Sequence, residues 1–285
     1  MTVTAGFLSI AQAPIADRLV VVRGGGDLAS GVAARLVRCG FAVVCLETAA
    51  PLAVRRTVSF AEAVYEGRCR VEELEAVLAG NDADCLNLLE RGLLPVLVDP
   101  QAALVESLRP RVVVDAIMAK RNLGTARGMA PLVVALGPGF EAGSDVHAVV
   151  ETMRGHDLGR VIWRGRALPN TGTPGLVEGK GADRVLRAPI DGRLEACRAI
   201  GDRVEEGELV ARVRGESGCR EVRSPFTGMI RGLVREGIEL PRGIKIGDID
   251  PRCERAHCFT ISDKARAVAG GVLEAVLQGL GGRLP

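Results

Sequence analysis

Lysine, histidine and aromatic residues are all scarce in this chain. Lys120, Lys180, Lys245 and Lys264 are the only lysines among 37 basic residues, histidine occurs three times, and aromatic residues make up 3%. The basic residues are scattered without aromatic interleaving and the net charge is +2, so the sequence carries no electrostatic footprint for nucleic acid. No apolar run reaches the roughly 18 to 20 residues of a membrane span, and no membrane partner is expected. Met1 to Asp17 has no basic segment ahead of its weakly apolar residues. No signal peptide is therefore expected, and the cytoplasm is the expected compartment. Eight cysteines, at 39, 45, 69, 85, 197, 219, 253 and 258, include no Cys-x-x-Cys pair. In that compartment they read as reduced thiols, several of them small core residues.

With 285 residues, 47% hydrophobic and 25% charged, the chain is long enough for two or three globular domains. It is organised around Arg23-Gly24-Gly25-Gly26-Asp27-Leu28-Ala29-Ser30-Gly31, between the apolar run Leu19 to Val22 and a segment of helical period that stops at Gly40. Gly24, Gly26 and Ala29 fit a Gly-x-Gly-x-x-Gly/Ala fingerprint, in which the backbone approaches a pyrophosphate at a helix N-terminus. A second strand, Ala42 to Leu46, ends in Glu47, where a ribose hydroxyl would be held. Arg55 and Arg56 follow the ligand-facing end of that strand and suit a phosphate clamp.

Val71 to Ala79 reads as a helix. Leu93 to Val98, a helix over Gln101 to Leu108, and the strand Val112 to Ile117 continue the alternation of a parallel, doubly wound sheet. Lys120, Arg121 and Asn122 fall at a strand end, and Gly137-Pro138-Gly139 forms a second glycine-rich loop after the strand Pro131 to Leu136. His147 and Glu151 would share a face if helical, and Cys253, His257 and Cys258 are close in sequence. Neither group offers a full ligand set, so no metal site is expected. Asn170-Thr171-Gly172-Thr173-Pro174-Gly175 is dense in turn formers and marks a boundary.

Beyond it lies an internal repeat. Arg187-Ala188-Pro189-x-x-Gly192, Gly201, Val204, Gly207 and Val213 recur 36 positions later as Arg223-Ser224-Pro225-x-x-Gly228, Gly237, Leu240, Gly243 and Ile249. Ala188-Pro189-x-x-Gly192 and Gly201-Asp202-x-Val204-x-x-Gly207 resemble biotinyl and lipoyl carrier domains. The hairpin from Arg214 to Glu221 has no lysine, so neither biotin nor lipoate is expected. A last helix, capped by Ser262 and running from Asp263 to Leu280, carries an apolar stripe. Gly270 and Gly271 inside it imply close packing, since each costs about 1 kcal/mol relative to alanine.

These readings give an α/β chain: a Rossmann-like parallel-sheet domain over residues 18–180, a two-fold β barrel-sandwich over 181–252, and a C-terminal helix over 253–285 packing back on the body. The candidate cofactor contacts are Gly24, Gly25, Gly26, Asp27, Ala29, Glu47, Arg55, Arg56, Lys120, Asn122, Gly137 and Gly139. No catalytic residue is identified.

Seven stretches together resemble the bacterial family of selenium-dependent molybdenum hydroxylase system proteins. They are Gly24-Gly25-Gly26-Asp27-Leu28-Ala29-Ser30-Gly31-Val32-Ala33, Ala53-Val54-Arg55-Arg56-Thr57-Val58, Glu62-Ala63-Val64-Tyr65-Glu66-Gly67, Leu136-Gly137-Pro138-Gly139-Phe140, the turn-rich stretch at 170–175, Lys245-Ile246-Gly247-Asp248-Ile249-Asp250-Pro251-Arg252 and Ile261-Ser262-Asp263-Lys264-Ala265. The first domain is also similar to xanthine dehydrogenase accessory proteins. One departure is the Gly-Gly-Gly loop where Gly-Ala-Gly is the family pattern.

The resemblance implies an accessory, maturation role in which the first loop binds molybdenum cofactor, as molybdopterin or its dinucleotide, for a molybdenum hydroxylase apoprotein. The alternatives are an oxidoreductase using NAD(P) at the same loop and a non-enzymatic scaffold that docks a hydroxylase. Whether the chain is an enzyme stays open, and Cys258 beside His257 is the thiol best placed to handle selenium.

A reducing compartment and unpaired cysteine spacing predict no essential disulfide. Intact-mass measurement without reductant is expected to show eight free thiols. A mass lower by two hydrogens per bridge would overturn this.

Overall fold

After one turn of helix, α1 (Ile15–Arg18), the β-branched run forms β1 (Leu19–Arg23), buried at every position. Asp27–Arg38 follows as α2 and Ala42–Glu47 as β2. Next come α3 (Ala63–Glu66), β3 (Arg68–Val71), β4 (Leu74–Ala79), α4 (Asp82–Glu90) and β5 (Leu94–Val98). The chain continues through α5 (Leu104–Leu108), β6 (Val112–Asp115) and β7 (Leu132–Leu136). Four short strands close this part: β8 (Glu141–Ala142), β9 (Ala148–Val150), β10 (Val161–Ile162) and β11 (Gly165–Arg166). The computed structural model describes residues 10–172, 178–216 and 218–282. Residues 1–9 and Thr173, Pro174 and Gly175 of the turn-rich stretch lie outside the described residues.

Nine strands make one sheet in the order β10-β9-β7-β6-β1-β2-β5-β4-β3. The inner seven run parallel, while β3 and β10 at the edges are antiparallel to their neighbours. Alternation along β1 sends Val20 and Val22 to one apolar cluster and Leu19 and Val21 to the other, so both faces of the sheet are cores.

The repeat region contributes β12 (Val185–Arg187), β13 (Gly192–Ala196), β14 (Arg203–Val204) and β15 (Leu209–Gly215). Its second half contributes β16 (Gly218–Arg223), β17 (Gly228–Leu233), β18 (Glu239–Leu240) and β19 (Lys245–Asp250). They form two antiparallel sheets, β12-β19-β17-β14 and β16-β15-β13-β18, over one apolar core. Shifting each strand by 36 positions converts one order into the other.

The expected fold class is corrected by this topology. In place of a Rossmann-like parallel sheet and a barrel-sandwich, the chain has a large mixed sheet and separate antiparallel sheets, with no strand pair joining the two four-stranded sheets among the described residues. Two physical causes are visible. Val71 to Ala79, expected as a helix, is the end of a β3–β4 hairpin that turns at Glu72 with φ 53, and pairing of β4 with β5 outweighs the helical propensity of Glu73-Leu74-Glu75. Further along, β6 reaches β7 through a loop holding only a short 3-10 turn, Arg127–Met129. The sheet face there is covered by a helix from far away, α6 (Asp263–Leu280), whose Val268, Val272 and Val276 share a core with Leu132 and Val134.

Helix α6 also crosses α2 closely, for a Cβ on Gly31 would stand 2.8 Å from the Cβ of Ala265. The adjacent glycines of α6 differ: a Cβ on Gly271 would overlap the Gly159 carbonyl, much as one on Gly279 would crowd Leu132, whereas Gly270 faces open space. Gly271→Ala is therefore expected to destabilise the protein by about 1–3 kcal/mol in urea denaturation. Gly270→Ala should stabilise it by up to about 1 kcal/mol. Equal effects at the two positions would contradict this packing.

Candidate functional site: a cation-lined cleft

A cleft of about 1710 Å³ opens between the carboxyl ends of the parallel strands and the repeat region. Its base is the glycine loop. Gly24 has φ 106 and donates its N–H to the Leu46 carbonyl at 2.7 Å, closing the turn after β1. Ser30 fixes the loop from behind, donating from Oγ to the Gly25 carbonyl and accepting from Phe60 N–H at 2.8 Å. Gly26, which precedes α2, has open space before its Cα.

Glu47 does not reach toward a ribose. Its Oε1 accepts from Gly25 N–H at 2.7 Å and its Oε2 from Thr48 N–H at 2.9 Å. Burial raises its pKa even against these two bonds. A pyrophosphate at the Gly25 amide would have to displace this carboxylate.

Asp27, in the first turn of α2, caps Leu28 N–H and stands 3.5 Å from Arg55 Nη1. Arg55 is buried, and its Nη2 donates to the carbonyls of His257 and Thr260. Lys264, in the first turn of α6, and Lys245, which opens β19, face Asp27 from the other walls. Burial lowers the pKa of both ammonium groups, opposed at Lys264 by Asp27 and at Lys245 by Asp248. Arg231 on β17 and Arg184 ahead of β12 complete the walls, each buried and each tied to one acid: Arg231 to Asp250 at 3.6 Å, Arg184 to Asp248 at 3.0 Å. Burial and then the charge of Arg55 lower the pKa of Arg231. Arg55, Arg184 and Arg231 each keep an Nε with no acceptor among the described residues.

At the carboxyl ends of β1 and β6 a second network sets the cleft mouth. Arg23 donates to the Thr125 hydroxyl, to the Pro100 carbonyl at 3.0 Å and to the Leu123 carbonyl at 3.3 Å, and Thr125 donates to Asp115 Oδ2. Burial raises the pKa of Asp115, offset by Thr125, the Ile117 N–H and Arg23. Leu52, Leu123 and Leu168 are exposed at the rim, with Met118 and Met153 beside them.

Of the residues expected in the site, Gly24, Gly26, Asp27, Ala29, Glu47, Arg55 and Lys120 line the cleft. Gly25 lies behind it. Arg56 turns away to bond Leu233 O at 2.8 Å and pair with Glu62. It anchors the repeat region against the large sheet, because the carbonyl it reaches lies on β17. Asn122 closes its own loop on Thr125. Gly137 abuts Thr152, and Gly139 backs onto Lys120 and Arg121, so the second glycine loop serves packing.

The shared face expected for His147 and Glu151 is absent because β9 runs between them. His147 Nδ1 accepts from Val133 N–H, and the Glu151 carboxylate is held by Thr152, Met153 and Leu168 N–H groups. Among the described residues no group of three or more His, Cys, Asp or Glu is placed to hold a metal ion. Cys258 is fully buried with its pKa raised by burial, which removes it as an exposed thiolate. Sequence reasoning missed Arg184, Arg231, Lys245 and Lys264 as a group, although the rarity of lysine singled out two of them.

No family model matches the chain. Uncharacterized protein YqeB of Escherichia coli (strain K12) is 51% identical over 265 residues, which is 93% of this chain and 48% of that protein. The chain thus spans about half the length of that relative. Among solved structures, an aspartoacylase family protein from Mesorhizobium loti gives a TM-score of 0.28 at 14% identity, over 81% of this chain and 84% of that one. A succinylglutamate desuccinylase from a Silicibacter species gives 0.25 at 13%, over 81% and 84%. Likeness at these scores carries no activity over to this chain.

The curated relative is described only as uncharacterized and no family model matches, so the comparisons provide no connection to molybdenum or selenium. The expected role as an accessory or maturation protein of selenium-dependent molybdenum hydroxylases is withdrawn. The NAD(P) oxidoreductase and docking-scaffold alternatives are withdrawn with it.

Asp115→Ala leaves Arg23 buried without its acid and is expected to cost about 3–5 kcal/mol of stability in urea denaturation. Asp115→Asn, which keeps an acceptor for Thr125, should cost less. A neutral Asp115→Ala would show that Arg23 is satisfied by carbonyls alone.

Proposed function

We propose that the cleft binds a small molecule carrying a phosphate or carboxylate group on an apolar or planar body. The reading is supported above all by the convergence of Arg55, Arg184 and Arg231, all buried and each with an unpartnered Nε, around one cavity. A buried donor left without an acceptor costs about 1–3 kcal/mol, and more on a charged group. An anion in the cleft offsets part of the cost of burying so much positive charge, by supplying countercharge and acceptors to the guanidinium N–H groups that the cavity exposes. Lys245 and Lys264 add positive charge at the same place, and Asp27 keeps the cluster from being purely cationic.

The rim favours a second chemical part. Leu52, Leu123 and Leu168 are apolar side chains left in solvent around an otherwise charged opening, and Met118 and Met153 are adaptable in shape. Together they suit the body of a ligand whose anionic head sits deeper. The compartment proposed is the cytoplasm, supported by eight cysteines that are all free. Among the described residues no helix is long and apolar enough to cross a membrane.

Calorimetry with inorganic pyrophosphate, a nucleoside diphosphate and citrate tests the reading. At least one is expected to bind the wild-type protein. Arg231→Met should weaken it about tenfold to a hundredfold, the loss of one charged hydrogen bond worth about 1.5–3 kcal/mol. Asp250 retains Arg252 in that variant, so the fold should persist. Binding of none of the three, or binding that Arg231→Met leaves unchanged, would overturn the proposal.

A further inference from the structure

The cleft holds three of the four lysines of a chain that otherwise uses arginine for its positive charge. For holding an anion, arginine serves as well or better, since its guanidinium binds two oxygens at once and stays charged. What lysine offers and arginine does not is an amine able to shed its proton and form a bond to carbon. The three cleft lysines differ in their surroundings. Lys120 is exposed on the outer loop, and Lys245 lies 3.9 Å from Asp248, an acid whose charge opposes the loss of its proton.

The Lys264 ammonium makes no ion pair or hydrogen bond with the described residues, although Asp27, Glu151, Asp263 and Arg154 face it. The nearest acid along its own helix, Asp263, is engaged bidentately by Arg154 at 2.7 and 2.9 Å. Lys264 also sits directly after the capping pair Ser262–Asp263, in the first turn of an 18-residue helix, where the positive end of the helix dipole opposes an ammonium. Burial works in the same direction, and the group lines the cavity into which Asp27 projects.

We infer that Lys264 is the amine nucleophile of the cleft, forming an imine with the carbonyl carbon of an anionic aldehyde or ketone whose charge is held by Arg55 and Arg231. The inference rests on the anion-binding reading and adds a carbonyl to the ligand. The proton of the Lys264 ammonium passes through solvent in the cleft to Asp27. The freed Nζ attacks the carbonyl carbon, forming the C–N bond, and one of its own N–H protons passes to the carbonyl oxygen to give a neutral carbinolamine. Asp27 then returns its proton to the departing hydroxyl, which leaves as water, and the C=N bond forms. Atoms and charge balance with no oxidant or reductant.

Reductive trapping tests this. The full chain is incubated at neutral pH with limiting pyridoxal 5′-phosphate, an anionic aldehyde, and sodium cyanoborohydride, and labelled lysines are located by peptide mass spectrometry. The expected result is one reduced adduct, at Lys264, that excess inorganic pyrophosphate suppresses and Lys264→Arg abolishes without redirecting it to Lys245. Labelling that is spread over the four lysines, that favours Lys120, Lys180 or Lys245, or that pyrophosphate leaves unaffected overturns the inference. Calorimetry with pyrophosphate on wild type and Lys264→Arg is run alongside. Retained binding with no Lys264 adduct sinks the imine alone, whereas failure of pyrophosphate, the nucleoside diphosphate and citrate all to bind the wild type sinks the anion reading as well.

Discussion

The site depends on desolvated positive charge, part of it facing Asp27 and part of it tied to Asp248 and Asp250. Asp27 begins α2, and the cations that face it come from the segment after β2, from the repeat region and from the start of α6. Each guanidinium withdrawn from water needs acceptors, and single acids supply part of them. The arrangement holds only while the repeat region is docked at one fixed position. That docking is itself polar: Arg56 grips the Leu233 carbonyl, and Arg235 bonds Glu62 and Glu66 while lying 4.7 Å from the centre of the Tyr65 ring. A close backbone approach between Gly232 and Val54 leaves no room for a side chain there. Docking and site are consequently one problem, solved by neighbouring residues of the same segment, Arg55 pointing into the cleft and Arg56 away from it.

How much of this was legible in the sequence divides by the range of the interactions involved. The strand, turn and helix around Gly24 to Gly26 could be read because apolar period and glycine position are local signals. The direction of Glu47 could not, since its carboxylate chooses the nearby amides of Gly25 and Thr48 over an outside ligand, a choice set by backbone geometry. Val71 to Ala79 misled because its glutamates favour a helix while its place beside β5 imposes a strand.

The charged walls were the least legible part. Lys245 and Lys264 stand 19 positions apart, and both are more than 200 positions from Asp27. No spacing rule connects residues that meet only after a second body has docked. Scarcity was the remaining signal: when a chain that avoids lysine keeps it at Lys120, Lys245 and Lys264, a common location is informative. Cys258 shows the converse, for its neighbour His257 looked chemically apt, yet burial against Ile230 decides its character.

The use of α6 as a cover for the large sheet bears on how the protein is made. Leu132, Val134 and Leu136 leave the ribosome well over a hundred residues before the helix that shields them, with the whole repeat region synthesised in between. Until α6 arrives, the valine-rich face of a parallel sheet is open to solvent and to other chains. Nascent protein should therefore call on chaperones through that face, and pairing of such distant segments is slow by nature. The same order of events delays Lys264, so the cleft cannot be complete until α6 has been made and packed.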